Sequence, residues 1–186
     1  MGSTDHFIIV AGIDFSEGAD CALDRALVEA ARRGGSEVHV VYVERDSRPG
    51  SARARREMGA DATVDRVQQR ICQRMHRMPA DLDKQRILRV VAHYRHGSPA
   101  EGIAQLAADL GAELIVVGFH DRGGLVAEGV VRLASCRVMV AHDDASVTGD
   151  QPWIKVPCAE HPLREHHHQC ASNGVYAAEM TVYGPD

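Results

Sequence analysis

Two hydrophobic rhythms alternate along this chain. The run Phe7-Ile8-Ile9-Val10-Ala11-Gly12-Ile13 is short, apolar and rich in β-branched residues, and it gives way to the turn-forming Asp14-Phe15-Ser16-Glu17-Gly18; a buried strand feeding a helix is the expectation. Over residues 19–33 the apolar positions Ala22, Leu23, Ala26, Leu27 and Ala30 recur at helical spacing, and Gly34-Gly35 supplies the stop. The exchange then repeats. Residues 37–43 predict a second strand. Val64, Val67, Ile71, Met75 and Met78 predict a helix over 53–77 that ends before Pro79, its methionines serving as packing. A third strand is expected over 87–93. Gly97-Ser98-Pro99-Ala100-Glu101 opens a third helix, with Ser98 placed to cap it and Pro99 suited to its first turn, and Leu110-Gly111 closes it. Residues 113–118 predict a fourth strand, 126–133 a short helix and 136–141 a fifth strand.

Strands that alternate with helices in this way are joined in parallel by right-handed crossovers. The expected fold is therefore α/β: an open, doubly wound, mainly parallel five-stranded sheet with helices on both faces. Ligands in that architecture bind beyond the carboxyl ends of the strands. Asp14, Val43, Gly97 and Gly118 all fall at predicted strand ends, so a site is to be sought among them.

Composition narrows the function classes. The 186 residues are 45% hydrophobic, 25% charged and only 4% aromatic, so the core is built from Val, Leu, Ile and Ala, as in parallel sheets. A formal net charge of -5 argues against nucleic acid, whose phosphates reward dense Lys and Arg. Locally, Arg45, Arg48, Arg53, Arg55 and Arg56 cluster around Pro49-Gly50, either to meet an anionic partner or as a solvated loop and helix start. Residues 1–6 lack a charged leader followed by an apolar run, and no apolar stretch of about 18 residues occurs, so a soluble, cytoplasmic protein without membrane contact is expected. Five scattered cysteines point to reduced thiols, with Cys21, Cys72 and Cys136 in apolar patterns that predict core positions.

Three phrases carry a resemblance: Val10-Ala11-Gly12-Ile13-Asp14 with Ser16-Glu17; Gly97-Ser98-Pro99-Ala100-Glu101; and Gly111-Ala112-Glu113-Leu114-Ile115-Val116-Val117-Gly118. Together with the order of elements they resemble the universal stress protein family over residues 6–142. Cys136-Arg137-Val138-Met139-Val140 also resembles the family's final strand, where a proline commonly stands in place of Arg137. The resemblance implies a flavodoxin-like or Rossmann-like domain of the adenine nucleotide alpha hydrolase kind. It also implies a role in stress or starvation, and a homodimer formed through the last strand, between Val138 and Ala141. Some members bind ATP and others do not. In those that do, an aspartate after the first strand sits at the nucleotide, and a glycine loop after the fourth strand cradles the phosphates: Gly, two residues, Gly, nine residues, then Gly-Ser or Gly-Thr.

Backbone N–H groups freed by small residues suit phosphate oxygens, but the pattern is damaged here. Gly118 matches the first glycine, whereas Asp121 stands at the second and sets a carboxylate where phosphates would lie. Counted back from Cys136, the final Gly-Ser falls on Gly124-Leu125, so the loop is roughly seven residues short and the hydroxyl is lost. Arg122, Gly123 and Gly124 would build either a small anion nest or a plain tight turn, with His120 beside the ligand in the first case. The ligand-binding candidates are thus Asp14, Val41, Gly97, Gly118, His120, Gly123 and Gly124, and Asp14 has the alternative role of capping the first helix.

No other catalytic motif appears. Lys84 and Lys155 are the only lysines, neither in a Gly-Lys-Ser or Gly-Lys-Thr loop, and there is no Gly-x-Ser-x-Gly elbow or His-Glu-x-x-His helix. The expectation is that the protein is not an enzyme. After a first domain over 1–144, an extension over 145–186 carries Gln151-Pro152-Trp153-Ile154-Lys155-Val156-Pro157. It also concentrates Cys158, His161, His166, His167, His168 and Cys170. Cys158, His161, His166 and Cys170 have spacings compatible with tetrahedral zinc, or are incidental to a tail without metal. Trp153, Ile154 and Val156 would dock as a strand on the domain or on a partner. Three functional readings follow: a non-catalytic stress-response module acting by dimerisation and protein contact without the usual ATP site, an adenine-nucleotide switch, or a metal sensor working through the tail.

Overall fold

The computed structural model describes residues 6–45, 53–119, 124–142, 153–155 and 176–180. Within them, β1 (Phe7–Ile13), α1 (Glu17–Arg33), β2 (Ser36–Glu44), α2 (Arg53–His76), β3 (Ile87–His96), α3 (Pro99–Leu110), β4 (Leu114–Gly118), α4 (Leu125–Leu133) and β5 (Arg137–Ala141) follow one another. Two short strands from the extension, β6 (Trp153–Lys155) and β7 (Tyr176–Met180), complete the set. The sheet order is β6-β5-β4-β1-β2-β3-β7. The five predicted strands all pair in parallel, while β6 joins β5 and β7 joins β3 antiparallel, so the sheet has seven strands where five were expected. β3 also runs past His93, because Tyr94, Arg95 and His96 continue the register against Tyr42, Val43 and Glu44.

Alternation along each strand sorts the core into two layers. Ile9, Ala11, Val38, Val40, Val90, Ala92 and Val116 pack with α1 and α2 on one face. Val10, Val41, Val43, Ile115, Val117 and Val138 pack with α3 and α4 on the other. Leu23, Leu27 and Ile71 lose all contact with water, each contributing about 1.5–3 kcal/mol. Ion pairs tie α2 to α1: Arg70 to Asp20 at 3.3 Å, and Arg74 to Asp24. Cys72 is exposed, against the expectation of a core thiol. The buried stripe of α2 runs through Val64, Val67, Ile71 and Met75, and a residue one step beyond Ile71 is turned about 100° away from it. Cys21 and Cys136 are half-buried.

Candidate functional site

β1 lies at the centre of the sheet, with β2 and β3 to one side and β4 and β5 to the other. The connections therefore reverse direction beside β1, and a crevice opens where α1 and α3 diverge from the carboxyl ends of the strands. The chain turns there through Phe15, whose φ of 64° is left-handed without a glycine. Such a conformation persists only where neighbours enforce it, and here Tyr42 packs on the Phe15 ring at 5.3 Å with the Arg66 guanidinium 4.3 Å above it. The turn delivers Ser16 as the N-cap of α1, its hydroxyl oxygen accepting from the Ala19 N–H at 3.3 Å. Asp14 does not cap the helix itself. Its carboxylate accepts from the Ser16 N–H at 3.1 Å and from the Ser16 hydroxyl, holding the cap in place while staying exposed at the crevice.

The crevice is a cavity of about 410 Å³, within the usual range for small-molecule sites. Its walls are Gly12 and Ile13 from β1 and Asp14 just after it, Ala19 from α1, Val41 to Arg45 at the end of β2, Val117 and Gly118 from β4, Pro99 and Ile103 from α3, and Val126 from α4. Of the residues the sequence nominated, Asp14, Val41 and Gly118 thus meet in one cavity. Gly97 lines an adjoining shallow recess of about 470 Å³ that shares Arg45, Pro99 and Val126 with it. Gly124 sits in the left-handed region (φ 50°) as the N-cap of α4 and lines neither space. His120 and Gly123 lie outside the described residues, as do Cys158, His161, His166 and Cys170. Among the described residues no group of three or more His, Cys, Asp or Glu is placed to hold a metal ion.

Gly118 has a reason of its own to be glycine. A Cβ there would run into the Gly18 carbonyl and stand 2.8 Å from the Ala19 nitrogen, so its absence is what lets the start of α1 seat against β4. Ser98 is the N-cap residue of α3, as expected, but its side chain makes no cap hydrogen bond. Pro99 at the first position has no N–H to satisfy, and Ser98 is left facing the shallow recess.

Charge at the cavity is sparse. Among its described lining residues Asp14 and Glu44 are carboxylates and Arg45 is the one cation. Glu44 is held by the Tyr94 hydroxyl, which donates to it, and by His96 at 3.8 Å. The remaining walls are largely aliphatic, with Val41, Val117 and Ile103 buried. Such a surface suits a flat apolar ring with a few polar groups at one end. Sequence reading missed Tyr42, Glu44, Ile103 and Val126, and it named Arg45 only as part of an arginine cluster. The ends of the strands were legible, but which side chains of α3 and α4 close over them depends on how those helices cross the sheet.

Away from this cavity, β2 and β3 bury a polar cluster on the α3 face. His39 Nδ1 lies 2.8 Å from His93 Nε2, and His39 Nε2 lies 3.3 Å from the Glu37 carboxylate. Arg89 donates to the same carboxylate at 2.6 Å. Burial pushes Glu37 up, but Arg89 and His39 outweigh it and hold the carboxyl below its usual range. His93 is pushed down to about 3, first by burial and then by the neighbouring His39, Arg95 and Arg89.

The comparisons with known proteins agree with this architecture. The chain matches the universal stress protein family over residues 7–142. A universal stress protein UspA from Lactobacillus plantarum is similar in structure, with a TM-score of 0.56 and 23% identity over 73% of this chain and 97% of that one. A universal stress protein solved in complex with cAMP has a TM-score of 0.54 and 20% identity over 75% of this chain and 99% of that one. A family protein from Burkholderia pseudomallei is 30% identical over 75% of this chain and 98% of that one, with a TM-score of 0.48. No curated protein matches. A family match covering well over half of the chain, and falling on the strands and helices that build the crevice, leads to one conclusion: this chain belongs to the universal stress protein family.

Proposed function

We propose that the protein is a non-catalytic stress-response module whose crevice receives an adenine nucleoside or its monophosphate in preference to ATP, and whose output is contact with another chain at the β5 edge of the sheet. The observation that carries the first part is the make-up of the cavity. Its aliphatic walls accept a planar base, and two carboxylates against one guanidinium suit ribose hydroxyls and at most one phosphate. A triphosphate would bring several more negative charges toward Asp14 and toward the shortened loop that contains Asp121. The cAMP complex of a protein with this fold supports adenine as the base.

Thermal shift and titration calorimetry with adenosine, AMP, cAMP and ATP with magnesium test the reading. Adenosine, AMP or cAMP should raise the melting temperature at lower concentration than ATP, and Val126→Trp, which fills the mouth from a half-buried position, should weaken that binding at least about tenfold. ATP binding tighter than AMP binding, or no response to any of the four, overturns it.

A further inference from the structure

The polar groups of the crevice stand at the ends of its strands, and its two carboxylates are not equivalent. Asp14 is engaged on the helix cap, accepting from both the N–H and the hydroxyl of Ser16. Glu44, the last residue of β2, lines the cavity with its side chain half-exposed. It accepts from the Tyr94 hydroxyl. His96 lies opposite Glu44 in the register, but with Nδ1 3.8 Å from the carboxylate it is beyond hydrogen-bonding range and acts only through charge. Tyr94 is a fixed donor. It is 1% exposed, and its ring lies nearly parallel to that of Tyr42 at 6.2 Å and meets the His96 ring edge-on at 4.8 Å. A glutamate at a strand end would otherwise sample its rotamers; a buried phenol held in place selects one of them before any ligand arrives.

We propose that Glu44 reads the vicinal hydroxyls of a ribose in the crevice, and that Tyr94 is its positioning residue. This rests on the crevice being the nucleoside site proposed above, and adds which atoms of the ligand are recognised and by which side chain. An ionised carboxylate only accepts, with about four lone-pair sites on its two oxygens, so one bond from Tyr94 leaves room for others. The ligand groups it takes must therefore be donors. A vicinal diol offers two side by side, whereas a phosphate carries the same sign of charge and is repelled. A carboxylate held ready for hydroxyls discriminates against the analogue that lacks them, because it gives up water and receives nothing in return. Tyr94 does not line the cavity, so its effect on binding passes through Glu44.

Titration calorimetry on the full-length chain, with adenosine and with dideoxyadenosine, which lacks both hydroxyls, tests the assignment. The unmodified chain should bind adenosine at least about tenfold more tightly. Glu44→Ala should abolish that preference by weakening adenosine binding while leaving dideoxyadenosine binding where it was. Tyr94→Phe keeps the ring and removes only the hydroxyl; it should cut the preference to about threefold or less. Added to Glu44→Ala, it should weaken adenosine binding no further, since the group it positions is gone. Lost packing alone would instead weaken both ligands alike and would add to the first substitution. A preference that survives Glu44→Ala overturns the role of Glu44, and an additive double variant overturns that of Tyr94. A chain that binds the two nucleosides equally overturns the assignment with the crevice reading intact, whereas one that binds neither overturns the crevice reading as well.

Discussion

Two histidines on neighbouring strands carry the clearest pH signature in the molecule. A carboxylate only accepts, so His39 Nε2–H donates to Glu37; a single proton lies between His39 Nδ1 and His93 Nε2, and His93 Nδ1 is left buried without a partner among the described residues. No proton is easily added to that arrangement, with Arg89 and Arg95 close by and Arg95 itself paired to Asp109 at 2.9 Å. His93 is depressed from 6.5 to about 3, so between those values the unfolded chain takes up a proton that the folded chain refuses. Stability contributed by this residue is complete above pH 6.5 and is lost as pH falls toward 3. The slope is at most about 1.4 kcal/mol per pH unit. Urea denaturation at pH 7.5, 6 and 5 should reveal it, and His93→Gln should flatten the curve; equal slopes for the two proteins would contradict the assignment.

At the scale of the element, the two serines that precede α1 and α3 make a controlled pair. Ser16 accepts from the Ala19 N–H, whereas Ser98 makes no such bond. Ser16→Ala should therefore lower stability by about 1 kcal/mol, the usual value for a lost N-cap. Ser98→Ala should change it by less than about 0.5 kcal/mol. Thermal melts of both variants measure the contrast, and equal losses would count against it. The same comparison marks the limit of what a sequence phrase conveys. Ser98-Pro99 announced the start of α3 correctly, yet the hydroxyl's partner depended on a loop geometry that the phrase does not encode. Strands with strong alternation or unbroken apolar runs were legible for the reason they are stable, namely that both faces are buried. β6 was legible only as a segment able to dock, from Trp153 and Ile154. β7, with Tyr-Ala-Ala-Glu-Met, has weak strand preference, and its pairing is decided by the open edge of β3.

Across the whole molecule, the family assignment and the altered phosphate loop belong to different levels of description. The fold needs β1, β4 and α1 to meet closely, and Gly118 serves that purpose whether or not a phosphate is ever bound. This is why a glycine matching a nucleotide pattern was ambiguous in the sequence and becomes interpretable only beside Gly18 and Ala19. Asp14 follows the same logic: its position after β1 was legible, and its bond to the Ser16 cap was not. The charge that the cavity presents beside Asp14 comes, in turn, from Glu44 and Arg45, which line it because β2 extends one residue past Val43.

The chain contains one tryptophan, and the fold sets it in β6, opposite Val140. The aromatic rings packed together at the end of β2, Phe15, Tyr42 and Tyr94, emit at shorter wavelength or hardly at all. Intrinsic fluorescence excited at the red edge therefore reports on the sheet margin alone, so the protein carries its own unlabelled optical gauge of tail docking, separable from the melting of its core.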